Sequence, residues 1–152
     1  MNTVTMKFGG TSVGSEGAIR NLVGIVQQAS QTQRVVVVVS AMSGVTDLLI
    51  ESVRKAEQGD KWEYSNISAK IKEKHVDVIT HMVKAGKDRD DLLTTINKLI
   101  AQHIELCQAI QVLGDVTPRI MDAVVSLGER LSSPMIAAIL RQNGVQSQAV
   151  DA

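Results

Sequence analysis

Aromatic side chains are nearly absent: Phe8, Trp62 and Tyr64 are the only three, 2% of 152 residues. A core must therefore be aliphatic, and the stacking platforms that single-stranded nucleic acids require are missing. Cysteine is scarcer still. Cys107 stands alone, so no internal disulfide can form and a reducing compartment is expected. It lies on the apolar stripe of a predicted helix and reads as a buried structural thiol. No excess of charge exists either, with 16 Lys+Arg against 16 Asp+Glu. That balance argues against a basic nucleic-acid surface or a polybasic membrane patch. No stretch approaches the roughly twenty apolar residues of a membrane span. Met1-Asn2-Thr3-Val4 begins no charged-then-apolar leader, so the cytoplasm is the expected location. His75, His81 and His103 lack metal-ligand spacing and read as solvated or partly buried helix residues. No zinc pattern and no nucleophile elbow is present, and no metal site is expected among the side chains.

What the chain does have is apolar periodicity, with 44% hydrophobic residues, enough for one domain with a real core. Thr3 to Phe8 reads as a strand, followed by a helix capped by Ser15 and running to about Gln28. Val35–Val39 is five consecutive valines without alternation, which predicts a strand buried on both faces of a parallel sheet. A helix from about Thr46 to Gln58 follows, then two long amphipathic helices over about 63–85 and 88–112, a helical hairpin inserted between sheet elements. Thr117-Pro118 and Ser133-Pro134 each predict a helix start, and Asn143-Gly144 a stop. Val145 to Val150 reads as a third strand. The fold class is α/β, a mostly parallel sheet flanked by helices.

Three loops carry chemistry. Lys7-Phe8-Gly9-Gly10-Thr11-Ser12-Val13 ends the first strand. Glycines let backbone N–H groups approach an anion and lysine adds a point charge, so the loop suits phosphate; a plain strand-to-helix turn explains the same residues. It is neither a P-loop nor a dinucleotide fingerprint. Ser40-Ala41-Met42-Ser43-Gly44-Val45-Thr46-Asp47 leaves the valine strand with hydroxyls for a small polar substrate, or is a tight turn capped by Thr46. Gly128-Glu129-Arg130 places a carboxylate where it could hold an ammonium group, or is an exposed charge pair.

Together the three loops resemble the aspartokinase family, of the amino-acid kinase fold. K-F-G-G-T-S-V at 7–13, V-V-S-A-M-S-G-V-T-D at 38–47 and S-L-G-E-R-L-S at 126–132 match its motifs in order, and the likeness covers nearly the whole chain. The resemblance implies that Lys7 is catalytic and contacts the transferring phosphates of ATP, cradled by the backbone of Phe8, Gly9 and Gly10. It implies that Ser40 and Thr46 bind L-aspartate and that Glu129 holds its amino group. The reaction implied is transfer of the γ-phosphoryl group to the side-chain carboxylate, with Mg²⁺, giving 4-phospho-L-aspartate on the route to lysine, threonine and methionine. It also implies a homo-oligomer for the complete protein.

Family members continue into a second half of the kinase domain, which supplies the adenine pocket, and usually into ACT domains. Residues 1–152 therefore read as the N-terminal portion of such a domain, inactive by itself. Two alternatives stand beside this: another amino-acid kinase, or a non-catalytic binding module derived from the fold.

Overall fold

A computed structural model describes residues 2–151. Thr3–Phe8 forms β1, a single 3-10 turn spans Gly10–Val13, and α1 runs over Glu16–Ser30. Ser15 caps α1: its Oγ accepts from the Ala18 N–H at 3.2 Å, satisfying one of the orphan donors of the first turn. β2, Arg34–Val39, returns parallel to β1, with Thr3 opposite Arg34 and Phe8 opposite Val39. The predicted β-α-β opening is therefore present.

Five helices complete the chain: α2 (Val45–Glu57), α3 (Lys61–Met82), α4 (Lys87–Leu113), α5 (Pro118–Val125) and α6 (Leu127–Gln142). α3 and α4 pack on each other and on α2 and α6, and are the predicted hairpin to within three residues at each end. Asp60 caps α3 through a bond from the Glu63 N–H, and Gly114, at φ 68°, closes α4. The core is aliphatic as the composition requires, with Tyr64 the one aromatic side chain fully buried in it.

Five sequence expectations need correction. Val145–Val150 forms no strand. It runs beside α6, where the Ser147 hydroxyl donates to the Ala137 carbonyl at 2.7 Å and Arg141 donates to the Ser147 carbonyl. A groove of about 760 Å³, lined by Val35, Val37, Ile136, Leu140 and Val145, separates it from β2. A strand needs a ladder partner, and alternation alone supplies none.

The valine run is not buried on both faces. Val35, Val37 and Val39 pack against the core, whereas Val36 is 48% and Val38 43% exposed, because α1 and α6 cover one face alone. Pro134 starts no helix; it lies inside α6. Its missing N–H and ring cost about 3 kcal/mol in a helix interior, and burial of the continuous run Met135–Leu140 offsets this.

Pro118–Gln142, taken as one 25-residue span, is long and apolar enough to cross a membrane, contrary to the absence inferred from the sequence. Of its most apolar window, 61% is buried against the rest of the fold, which accounts for its character as a core helix.

The histidines divide differently from expectation. His81 is exposed and faces Glu16 at 3.0 Å, but His75 and His103 are fully buried. His103 ties three helices together: its Nε2 lies 2.7 Å from Ser52 Oγ on α2, and its Nδ1 lies 2.9 Å from Ser68 Oγ on α3. Cys107, buried as predicted, approaches the same Nε2 at 3.6 Å. Burial pushes the Cys107 thiol up and holds His103 down to about 4, so the imidazole is neutral.

Candidate functional site

β1 and β2 end side by side, and the Ser40 N–H donates to the Phe8 carbonyl at 3.0 Å. The loops that follow both strands therefore leave at one carboxyl edge, where parallel sheets take ligands. Glycine lets them converge. A Cβ on Gly14 would sit 2.9 Å from Ser43 Cβ and 3.0 Å from the Gly10 carbonyl oxygen, and one on Gly10 would sit 3.1 Å from the Ala41 oxygen. The third loop joins through α6, where a Cβ on Gly128 would lie 2.6 Å from Ala41 Cβ. One turn further on, the buried Ser132 hydroxyl donates to the Ser40 carbonyl at 2.7 Å. The three stretches singled out in the sequence thus meet in space.

Their polar groups are unspent. The Ser12 N–H closes the 3-10 turn on the Gly9 carbonyl at 2.9 Å, which leaves the successive N–H groups of Gly9, Gly10 and Thr11 without an acceptor among the described residues. Such a run is an anion-binding concavity. Lys7 is exposed on the same strand end, and Phe8 is half-buried with its side chain against the core. No carboxylate among the described residues pairs with Lys7.

α2 begins at Val45 after Gly44 at φ 81°, a left-handed conformation that favours glycine. Thr46 is therefore the second residue of the helix rather than its cap. No side chain caps α2, so the N–H groups of Thr46 and Asp47, with the hydroxyls of Ser40, Ser43 and Thr46, make no hydrogen bond among the described residues. The positive end of the helix dipole adds to their preference for an anion.

Glu129 lies in the first turn of α6, exposed and without a cation partner among the described residues. It forms no charge pair with its neighbour: Arg130 turns to Asp151 Oδ2 at 3.1 Å and to Gln102 Oε1 at 3.2 Å. Among the described residues the edge thus offers the free Lys7 ammonium, two sets of free N–H groups, the free hydroxyls of Ser40, Ser43 and Thr46, and two free carboxylates, Asp47 and Glu129. Such a set suits a ligand with negative groups at two places and a positive group at a third. Among the described residues no group of three metal-ligating side chains occurs.

Gly14 and Ser132 carried no expected role in the sequence. The signals available were the four-residue spacing from Gly10 to Gly14 and from Gly128 to Ser132, which reveal nothing until the facing loop is in place.

Comparison with known proteins adds relatives to this geometry. The sequence profile described as the amino acid kinase family matches residues 2–152. The chain is 34% identical over 146 residues to the bifunctional aspartokinase/homoserine dehydrogenase 1, chloroplastic, of Arabidopsis thaliana, covering 96% of this chain and 16% of that protein. It is 34% identical over 152 residues to the aspartokinase of Candida albicans, covering 95% of this chain and 27% of that protein. Among solved structures, Escherichia coli aspartokinase III in complex with aspartate and ADP superposes with a TM-score of 0.78 at 28% identity, over 97% of this chain and 30% of that one. Its complex with lysine and aspartate gives the same score over 95% of this chain. The chain therefore spans less than a third of the length of these relatives.

Proposed function

The chain belongs to the amino acid kinase family, and from that premise we propose that it carries the phosphate-gripping and amino-acid-binding part of an aspartokinase. One observation carries the reading: the unpaired N–H groups of Gly9, Gly10 and Thr11, beside free Lys7, open onto the edge where Thr46 and Glu129 are also unpaired. Similarity to a structure holding aspartate and ADP supports it.

In this reading Lys7 and the N–H groups of Gly9, Gly10 and Thr11 neutralise charge on the transferring phosphoryl group of ATP, while Phe8, expected in the cradle, is held in the β1–β2 ladder with its carbonyl bonded to the Ser40 N–H. Ser40 and Thr46 hold the carboxylates of L-aspartate, and Glu129 holds its ammonium. A side-chain carboxylate oxygen forms a bond to the γ-phosphorus as the bond to ADP breaks, giving 4-phospho-L-aspartate. An ionised carboxylate carries no proton to remove, so these residues act by positioning and charge neutralisation. Mg²⁺ would arrive on the phosphate oxygens of the nucleotide, a common arrangement for an ion that keeps few protein ligands, and would offset their charge.

The adenine pocket belongs to a nucleotide-binding half, so turnover is assigned to the assembly of the two, with this segment inactive alone. A cytoplasmic location, a homo-oligomeric assembly and a place on the route to lysine, threonine and methionine belong to the same proposal.

Calorimetric titration of the chain with L-aspartate, L-glutamate, N-acetylglutamate, carbamate and tripolyphosphate tests the assignment. Binding of tripolyphosphate and of aspartate above the other acceptors is expected. A stronger response to another acceptor would replace aspartate as the substrate, and silence towards all of them would leave a non-catalytic module.

A further inference from the structure

We infer that Ser132 is a positioning residue: with Gly128 it fixes the Ser40–Ala41 peptide against α6 and so sets the distance between the Ser40 hydroxyl and the Glu129 carboxylate. The inference rests on the aspartate-binding reading of those two side chains. Ser132 is fully buried and touches no ligand-accessible surface. Its hydroxyl has two acceptors in reach, the Ser40 carbonyl at 2.7 Å and the Glu129 carbonyl at 3.3 Å, and the shorter bond takes the proton. No other donor among the described residues reaches the Ser40 carbonyl.

Gly128 supplies the second point of contact. Residues four apart share a helix face, so Gly128 and Ser132 both face the loop. Gly128 lets α6 close on Ala41 with no room for a Cβ, since one would stand 2.6 Å from Ala41 Cβ. Glu129 follows Gly128 directly and is carried wherever that contact places it. Close approach sets the separation of helix and loop; the Ser132 bond sets the rotation of the peptide that bears Ser40. A hydroxyl spent this way within helix α6 has no capping role to explain it, because Ser132 lies in the interior of Leu127–Gln142.

The test uses the whole chain, ¹³C-labelled at serine carbonyls, as wild type, Ser132→Ala and Ser132→Thr. In Ser132→Ala the Ser40 carbonyl resonance should move to the position of an unbonded carbonyl, and L-aspartate should bind about 2- to 12-fold more weakly, the factor for one hydrogen bond. Tripolyphosphate binding should stay within twofold, because the Gly9–Thr11 amides do not depend on this bond. Ser132→Thr keeps the hydroxyl and should restore both the resonance and the aspartate affinity. An unmoved Ser40 resonance in Ser132→Ala overturns the inference whatever ligand binds. A moved resonance with unchanged aspartate affinity overturns its functional half. Failure of wild type to bind aspartate removes the substrate assignment and with it the functional half, while the resonance still decides the clamp.

Discussion

Acidification should loosen this fold through His103. The imidazole is buried between Ser52 on α2 and Ser68 on α3, and burial lowers it from the ordinary 6.5 to about 4. Both serines also lie within bonding distance of carbonyls of their own helices, Leu49 at 2.7 Å and Tyr64 at 2.9 Å. A neutral ring has one N–H, so one serine accepts from it while the other turns its hydroxyl towards the bare ring nitrogen. A second proton would face a serine oxygen and, at Nε2, the Cys107 sulfur as well, with no carboxylate among its partners.

The sign follows from linkage. The unfolded chain takes up a proton near pH 6.5 and the folded chain near 4, so stability is full above 6.5 and falls between the two values. The whole interval corresponds to about 3 kcal/mol, of which about 2 kcal/mol is lost between pH 8 and pH 5. His75, also lowered mainly by burial, acts in the same direction. Urea unfolding at pH 8, 6.5, 5.5 and 5 measures the loss, with His103→Gln as the comparison. The variant should be less stable at pH 8 by about 1–3 kcal/mol, the range for losing the ring's two serine hydrogen bonds. Its stability should then change less with pH, with the His75 contribution retained. Wild-type stability that is flat over this range, or an identical pH dependence in His103→Gln, would refute the reasoning.

Other consequences concern the site and its glycines. Gly128→Ala should cost about 1–3 kcal/mol, the range for overpacking, since its Cβ would stand 2.6 Å from Ala41 Cβ; thermal unfolding checks this. Gly24→Ala is the contrasting case, an exposed α1 position whose Cβ meets nothing within 4 Å, and should raise stability by about 0.5–1 kcal/mol in the same assay. Lys7→Ala should weaken tripolyphosphate binding at least several-fold and leave aspartate binding near wild type, as read by calorimetry. Glu129→Gln should do the reverse, with its main loss in aspartate affinity, and an unchanged aspartate isotherm would remove the ammonium-holding role.

Local chemistry made much of this molecule legible in its sequence. Ser15 and Pro118 begin helices because caps and first-turn prolines act through neighbouring backbone alone. The three loops were recognisable because their glycines, lysine and hydroxyls sit at strand ends and helix starts. What stayed hidden depends on partners distant in the chain. Ser133-Pro134 carries the local signature of a start, yet burial of Met135–Leu140 carries α6 straight through it. Val36 and Val38 look like core residues, but only the arrangement of helices decides that their face is bare. His103 looks solvated until Ser52 and Ser68, 51 and 35 residues away, are folded against it. At the site, residue types pointed to phosphate and amino acid, whereas the clamp of Gly128 and Ser132 on the Ser40–Ala41 peptide emerged only from the fold.

The most direct measurement is a two-ligand NMR titration of the ¹⁵N-labelled chain. Tripolyphosphate should shift the amide resonances of Gly9, Gly10 and Thr11, and L-aspartate those of Ser43, Thr46, Asp47 and Glu129, each saturating separately. Shifts scattered over exposed lysines, or saturating shifts confined to the groove between β2 and residues 144–149, would contradict a phosphate and amino-acid site at the carboxyl edge of the sheet.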